Sequence, residues 1–204
     1  MGAQDPRLNS AYEINFCLQR TLHAWKHKDP VPLCIKPIPI TVIHRIMVLA
    51  TSDVVDNTFR AAADMIIITF FFLLCPGEYT DNNKDPFHLT DTQLFIGDTR
   101  LPPLSVPASE LCLAWFASLT FTSQKNGVCG KVIGLACSGN PYLCPVQAII
   151  CRVLYLRLHM APPTTPLAQV FHIPNKVTTS YLTSCIFESV TALGPDLGFL
   201  PSEV

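Results

Sequence analysis

Val42, Ile43, Ile46 and Leu49 recur at the three-and-four spacing of one helical face and predict a helix over residues 41–50. After the polar break Thr51, Ser52 and Asp53, residues 55–74 begin polar and then turn apolar on every side, the pattern of a helix enclosed in a core. Its longest apolar run, residues 65–75, falls well short of the roughly 20 residues that a membrane span needs. Pro76 and Gly77 punctuate its end. Residues 87–101 hold short strand-like pieces divided by Asp91, Gly97 and Asp98, whereas residues 107–117 predict another helix.

Residues 119–123 (LTFTS) have the threonine and aromatic content of a strand. Asn126-Gly127 follows, a strong hairpin signal because both residues accept positive φ, and residues 128–135 can return as the partner strand with Lys125 at or beside the tip. Residues 144–158 read as a helix with Val146, Ile149, Ile150, Val153, Leu154 and Leu156 inward and Pro145 in its first turn. A loop at 161–166 precedes a last helix over 178–193, stopped by Gly194-Pro195. Ahead of all this, the amphipathic stretch from Tyr12 to Trp25 predicts a helix, and Pro30, Pro32, Pro37 and Pro39 an extended strap. The expected division is therefore an N-terminal helix and linker, 1–37, and a domain, 38–204. That domain is α+β and mainly α, with a small antiparallel sheet between two groups of helices and no internal repeat.

Composition narrows the function. With 49% hydrophobic and 14% charged residues among 204, the chain has material for one globular core. A net charge of −1 provides no overall field for nucleic acid, so any DNA contact must come from a local basic patch. The nine cysteines include no C-x-x-C pair, which points to a reducing, intracellular setting. Cys137, Cys144 and Cys151 recur every seventh position but lack zinc-ligand spacing to any histidine, so they are expected to be buried or half-buried thiols, and no metal is expected. Met1-Gly2-Ala3-Gln4-Asp5-Pro6 has neither the basic nor the apolar part of a secretory signal. A cysteine hydrolase is disfavoured because no spacing sets a base beside Cys75 or Cys137. Gly130-Lys131 lacks the Ser or Thr and the glycine spacing of a phosphate loop.

Four segments carry a resemblance: FFFLLCPGEYT (70–80), TFTSQKNGVCG (120–130), LCPVQAIICRVLYLR (143–157) and LGPDLGF (193–199). Together they resemble successive landmarks of the catalytic domain of tyrosine recombinases, of the kind found in the Crypton and DIRS mobile elements of eukaryotes, over residues 35–204. The resemblance implies a DNA breaking-and-rejoining ancestry, a nuclear location if the source is eukaryotic, and no cofactor. It also implies roles. The family ends its central helix in an arginine followed three residues later by a glutamate; Cys75 stands at the arginine position and Glu78 at the glutamate position. An arginine there can donate two hydrogen bonds to the non-bridging phosphate oxygens, a neutral thiol cannot, and the loss of one such donor costs on the order of 10²–10³ in rate. Lys125 matches the hairpin lysine that protonates the leaving 5′ oxygen, and Lys125, Asn126 and Lys131, with Lys84 and Arg100, are the candidate DNA contacts.

The sequence departs from the family after LGPDLGF. The second arginine, the histidines and the terminal tyrosine nucleophile have no counterpart before Val204; Arg152 and Arg157 lie on the earlier helix, and neither His159 nor His172 opens an H-x-x-R pair. Tyr142, Tyr155 and Tyr181 follow none of the expected landmarks and are read as packing or surface residues. Asp64, inside the apolar helix, is expected to pair near the N-terminal strap. The expected protein is an incomplete, catalytically inactive recombinase remnant that binds DNA weakly. The alternative is a protein-interaction module on the same fold, self-associating or binding a partner through uncovered apolar surface, with no membrane involvement.

Overall fold

The computed structural model describes residues 38–74, 87–121, 130–171 and 177–194, all within the unit Pro37–Ser202. The predicted N-terminal helix and strap, 1–37, lie outside the described residues.

Helix α1 (Ile40–Ala50) buries Val42, Ile43 and Ile46, as their spacing requires. The chain then turns into α2 (Asn57–Phe72), whose N-cap Asp56 accepts a hydrogen bond from the Phe59 amide at 2.8 Å. Ala61, Ala62, Ala63, Met65, Ile66, Ile67, Ile68 and Phe72 are all buried, so α2 is enclosed on nearly every side. It is the central helix expected from its apolar character.

The end of α2 is unusual. Leu73 adopts the left-handed conformation (φ 55°), and the amides of Leu73 and Leu74 both return to the Thr69 carbonyl, the latter at 2.9 Å. This closure satisfies an orphan carbonyl of the last turn, but it normally uses glycine, because a Cβ crowds the backbone when φ is positive. Leu73 is also 88% exposed, so it gains little from packing.

The sheet is a four-stranded antiparallel one in the order β2-β1-β3-β4. A single 3-10 turn (Leu89–Asp91) leads into β1 (Thr92–Ile96), and Gly97 (φ 54°) turns the chain back as β2 (Thr99–Leu101). The short helix α3 (Ala108–Leu111) precedes β3 (Phe116–Phe121), which pairs with β4 (Lys131–Ala136) over its full length. The helix predicted over 107–117 is thus cut to one turn. The Trp115 amide donates to the Phe95 carbonyl at 3.1 Å, and Phe116 and Ala117 pair with Phe95 and Leu94. Once β1 offers a ladder, the apolar run from Ala114 to Leu119 satisfies its backbone better as a strand than as a helix.

Helix α4 (Pro145–Leu158), with Pro145 at its start, packs on α2 and against β3 and β4. Helix α5 (Thr179–Leu193) is capped by the Thr178 hydroxyl, which accepts from the Tyr181 amide at 3.2 Å, and ends at Gly194 (φ 65°); it packs on α1 and α2. The architecture is α+β with a small antiparallel sheet. Among the described residues no helix is long and apolar enough to cross a membrane.

Replacing Leu73 by glycine should stabilise the fold by about 0.5–1 kcal/mol, since the relief of left-handed strain exceeds the entropic cost of glycine. Urea unfolding with an unchanged slope and a higher midpoint would show it; a lower midpoint would mean that the exposed leucine side chain is needed.

Candidate functional site

Cys75, Glu78, Lys84, Lys125, Asn126 and His172 lie outside the described residues. What is described is the framework that leads to them. Helix α2 runs up to Leu74, immediately before Cys75. Strands β3 and β4 are joined by the segment that contains Lys125 and Asn126, and the hairpin is closed at its base by the Gly130 amide, which donates to the Phe121 carbonyl at 2.7 Å.

Lys131 is exposed at the start of β4, opposite Phe121. Arg100 is exposed on β2, in the cross-strand row Arg100, Phe95, Phe116, Ala136. The strand order puts β2 and β4 at opposite edges, and the register puts the two cations at opposite ends as well. Strand spacing and rise then separate them by roughly 20 Å, about two Debye lengths at physiological salt. Lys131 and Arg100 therefore do not form one basic patch.

The described residues do converge elsewhere, at a pocket of about 450 Å³ between α1, α2 and the start of α4, lined by Met47, Arg60, Asp64, Tyr142, Cys151 and Arg152 among others. Arg152 is its most constrained group. It is fully buried, its Nε donates to the Leu167 carbonyl at 2.8 Å, a terminal nitrogen donates to the Gln169 carbonyl, and the guanidinium lies 4.8 Å from the centre of the Tyr155 ring. Burial lowers its pKa and the Asp64 carboxylate opposes that shift, so the two side chains interact across the α2–α4 contact. Among the described residues the charged neighbour of Asp64 is thus Arg152 on α4; the N-terminal strap, near which the sequence places its partner, lies outside them.

Asp64 itself is pushed from 3.8 up to about 7, because loss of hydration outweighs the pull of Arg152. It keeps a partial opening onto the pocket but is hemmed in by apolar side chains of α2. The spacing Ile149, Arg152, Leu156 already put this arginine on the buried stripe of α4, and an acid inside an apolar helix was its complement. That pairing was the signal available in the sequence, although it took the tertiary fold to join the two helices.

The remaining candidates for chemistry are accounted for by packing. Arg157 donates to the Val106 carbonyl at 2.6 Å. The Tyr155 hydroxyl accepts from the Phe171 amide at 3.1 Å, and its ring sits against His159, which stacks on Phe171 at 4.9 Å. Tyr142 meets His44 edge-on at 5.4 Å. Burial raises the Tyr181 phenol to about 12, the wrong direction for a nucleophile.

The cysteines depart from the buried or half-buried expectation. Cys144 and Cys185 are buried, but Cys112, Cys137 and Cys151 are exposed. Cys137 lies just beyond the end of the edge strand β4, and Cys151 opens into the pocket, where surrounding protein still pushes its thiol to about 12. Among the described residues, no group of three or more His, Cys, Asp and Glu could hold a metal ion.

Asp64 makes stability depend on pH with a definite sign. Near pH 3 the carboxyl is protonated folded and unfolded. Between about 4 and 7 the unfolded chain ionises while the folded chain keeps its proton, so stability falls as pH rises, and above 7 the decline levels off. Asp64→Asn, which mimics the protonated acid, should match the parent near pH 3 and exceed it by on the order of 2 kcal/mol at pH 8, a figure discounted for the residual opening to solvent. Parallel urea titrations at the two pH values would show this difference; an equal effect at both would mean that Asp64 titrates alike in the folded and unfolded chain. Of the family models, curated proteins and solved structures compared with the chain, none matches.

Proposed function

We propose that the chain is a remnant of a tyrosine-recombinase catalytic domain, a DNA strand-exchange protein by ancestry, without strand-cleaving activity of its own. The observation that carries the reading is the order of elements around the landmark segments. A buried central helix leads directly into CPGEYT, and an antiparallel pair, β3 and β4, is joined by the segment QKNG. The position taken by Cys75 removes the guanidinium that would steady the phosphate, and Lys125 keeps a cation at the hairpin.

Inactivity is supported from the described part of the fold. Beyond the hairpin, Arg152 and Arg157 both donate to backbone carbonyls, so neither is presented for a phosphate. Tyr155 is held in an aromatic cluster, and Tyr181 is harder to ionise than an ordinary phenol. DNA contact then rests on a few dispersed cations, a mode of binding that is weak and strongly salt-dependent.

The alternative reading, a protein-interaction module on the same framework, draws on exposed apolar side chains: Leu113 and Trp115 before β3, and Leu158 and Met160 at the end of α4. Size-exclusion chromatography coupled to light scattering separates the two. A monomer at all concentrations speaks against self-association.

Fluorescence anisotropy with a duplex of mixed sequence should show weak binding at about 50 mM salt that is largely lost at about 200 mM. No covalent protein–DNA adduct should be trapped from a nicked suicide substrate. Absence of binding at both salt concentrations would remove the DNA-binding part of the proposal, and a trapped adduct would overturn the inactive part.

A further inference from the structure

Asn57, Arg60 and Asp64 stand three and four residues apart on α2 and so share one stripe of that helix; Ala148, Cys151 and Tyr155 form a matching stripe on α4. Both stripes line the pocket of about 450 Å³ described above, and Met47 and Ala50 at the end of α1 complete it. A hollow of this size, walled mostly by apolar side chains with a few polar groups among them, is the usual setting for a small molecule. The recombinase reading makes no use of it.

The charged groups of the lining are Arg60, Asp64 and Arg152. Two guanidiniums against one carboxyl leave the wall positive whether or not the acid is ionised, so a cation is opposed there and an anion favoured. Arg60 is exposed, and its bond to the Ser52 carbonyl at 3.1 Å occupies one of the five N–H donors of the fork. Arg152 lies deeper. Its Nε and one terminal nitrogen serve the Leu167 and Gln169 carbonyls, and the other terminal nitrogen has no such acceptor among the described residues. Too buried to meet a DNA phosphate, this guanidinium is reached only by a ligand small enough to enter the pocket. Asp64 is half-buried and accepts no hydrogen bond from a described residue. Burial pushes it up to about 7, so below neutrality it holds a proton that it can donate to an anionic oxygen. Polar groups enclosed to this degree ordinarily have partners. Here the remaining partner has to come from the pocket.

We propose that the pocket between α1, α2 and α4 binds a small apolar monocarboxylate, a ring system or short chain that carries a single carboxylate. The apolar body fills the space beside Met47, Ala50 and Ala148. The carboxylate turns to the side lined by Arg60, Asp64 and Arg152, where it accepts from guanidinium N–H groups and from the protonated acid. A carboxylate suits the site better than a phosphate for two reasons. Walls that are mostly apolar compensate poorly for the lost hydration of a dianion, and two coplanar oxygens match the planar fork of an arginine. The site is independent of the recombinase reading, since it uses neither the segment after α2 nor the connection of β3 and β4.

The test titrates the full chain with naphthoate by isothermal calorimetry at about pH 6, below the Asp64 transition. Naphthylmethanol and naphthylmethylamine are titrated alongside; they keep the ring and replace the carboxylate by a neutral and a cationic group. Saturable binding of naphthoate is expected, at least about ten-fold tighter than that of the amine. Arg60→Gln, at an exposed position, should weaken naphthoate roughly five-fold and leave the alcohol unchanged, a split that a general loss of structure would not produce. Ala50→Trp, which fills the space beside Met47, should abolish binding of naphthoate. The proposal fails if naphthoate does not bind saturably, if the amine binds as tightly or more tightly, or if naphthoate still binds a folded Ala50→Trp chain. Should that variant not fold, the three ligands on the unaltered chain decide the matter.

Discussion

A guanidinium with no access to water has to find its partners within the protein, and Arg152 finds them on three separate parts of the chain. It donates to the carbonyls of Leu167 and Gln169 in the segment after α4, lies over the Tyr155 ring within α4, and faces Asp64 on α2. Hydrogen bonds from a charged donor are each worth about 1.5–3 kcal/mol where they replace hydration in the interior. Most of that offsets the cost of removing the ion from water, so the group contributes specificity more than stability. The segment 161–171 has little regular structure, and this arginine ties it to α4 together with the Tyr155 hydroxyl, which accepts from the Phe171 amide.

The same contact explains the state of Asp64. Arg152 is shared among carbonyls and a ring, and it cannot fully compensate a carboxylate set among the apolar side chains of α2, so the acid holds its proton to near neutrality. A polar pair in the wall of an otherwise apolar pocket is the consequence.

On the other side of the core, the sheet governs what the surface can offer. The order β2-β1-β3-β4 and its register set Arg100 and Lys131, the two cations described on the sheet, at opposite corners, where each acts as an isolated charge. At the far end of β4, the turn into α4 places one thiol at the edge of the sheet and another at the positive end of a helix.

Local pattern was enough to reveal most elements. The spacing of Val42, Ile43 and Ile46 gave α1, the all-round apolar character of residues 61–72 gave the central helix, the threonine and aromatic content from Leu119 onward pointed to β3, and Pro145 and Gly194 marked a helix start and a helix stop. These are determined by periodicity and backbone preference, which act between near neighbours and are written in the sequence. Cys75, Glu78, Lys125 and Asn126 were legible as a family resemblance, because motif spacing is also local. Two features were not legible: the conversion of residues 116–117 from helix to strand, and the partnership of Asp64 with Arg152. Each depends on which surface a second, distant segment presents. The ladder of β1 and the buried stripe of α4 exist only once the chain has folded, and only then can hydrogen bonding and desolvation choose between alternatives that the sequence leaves equal.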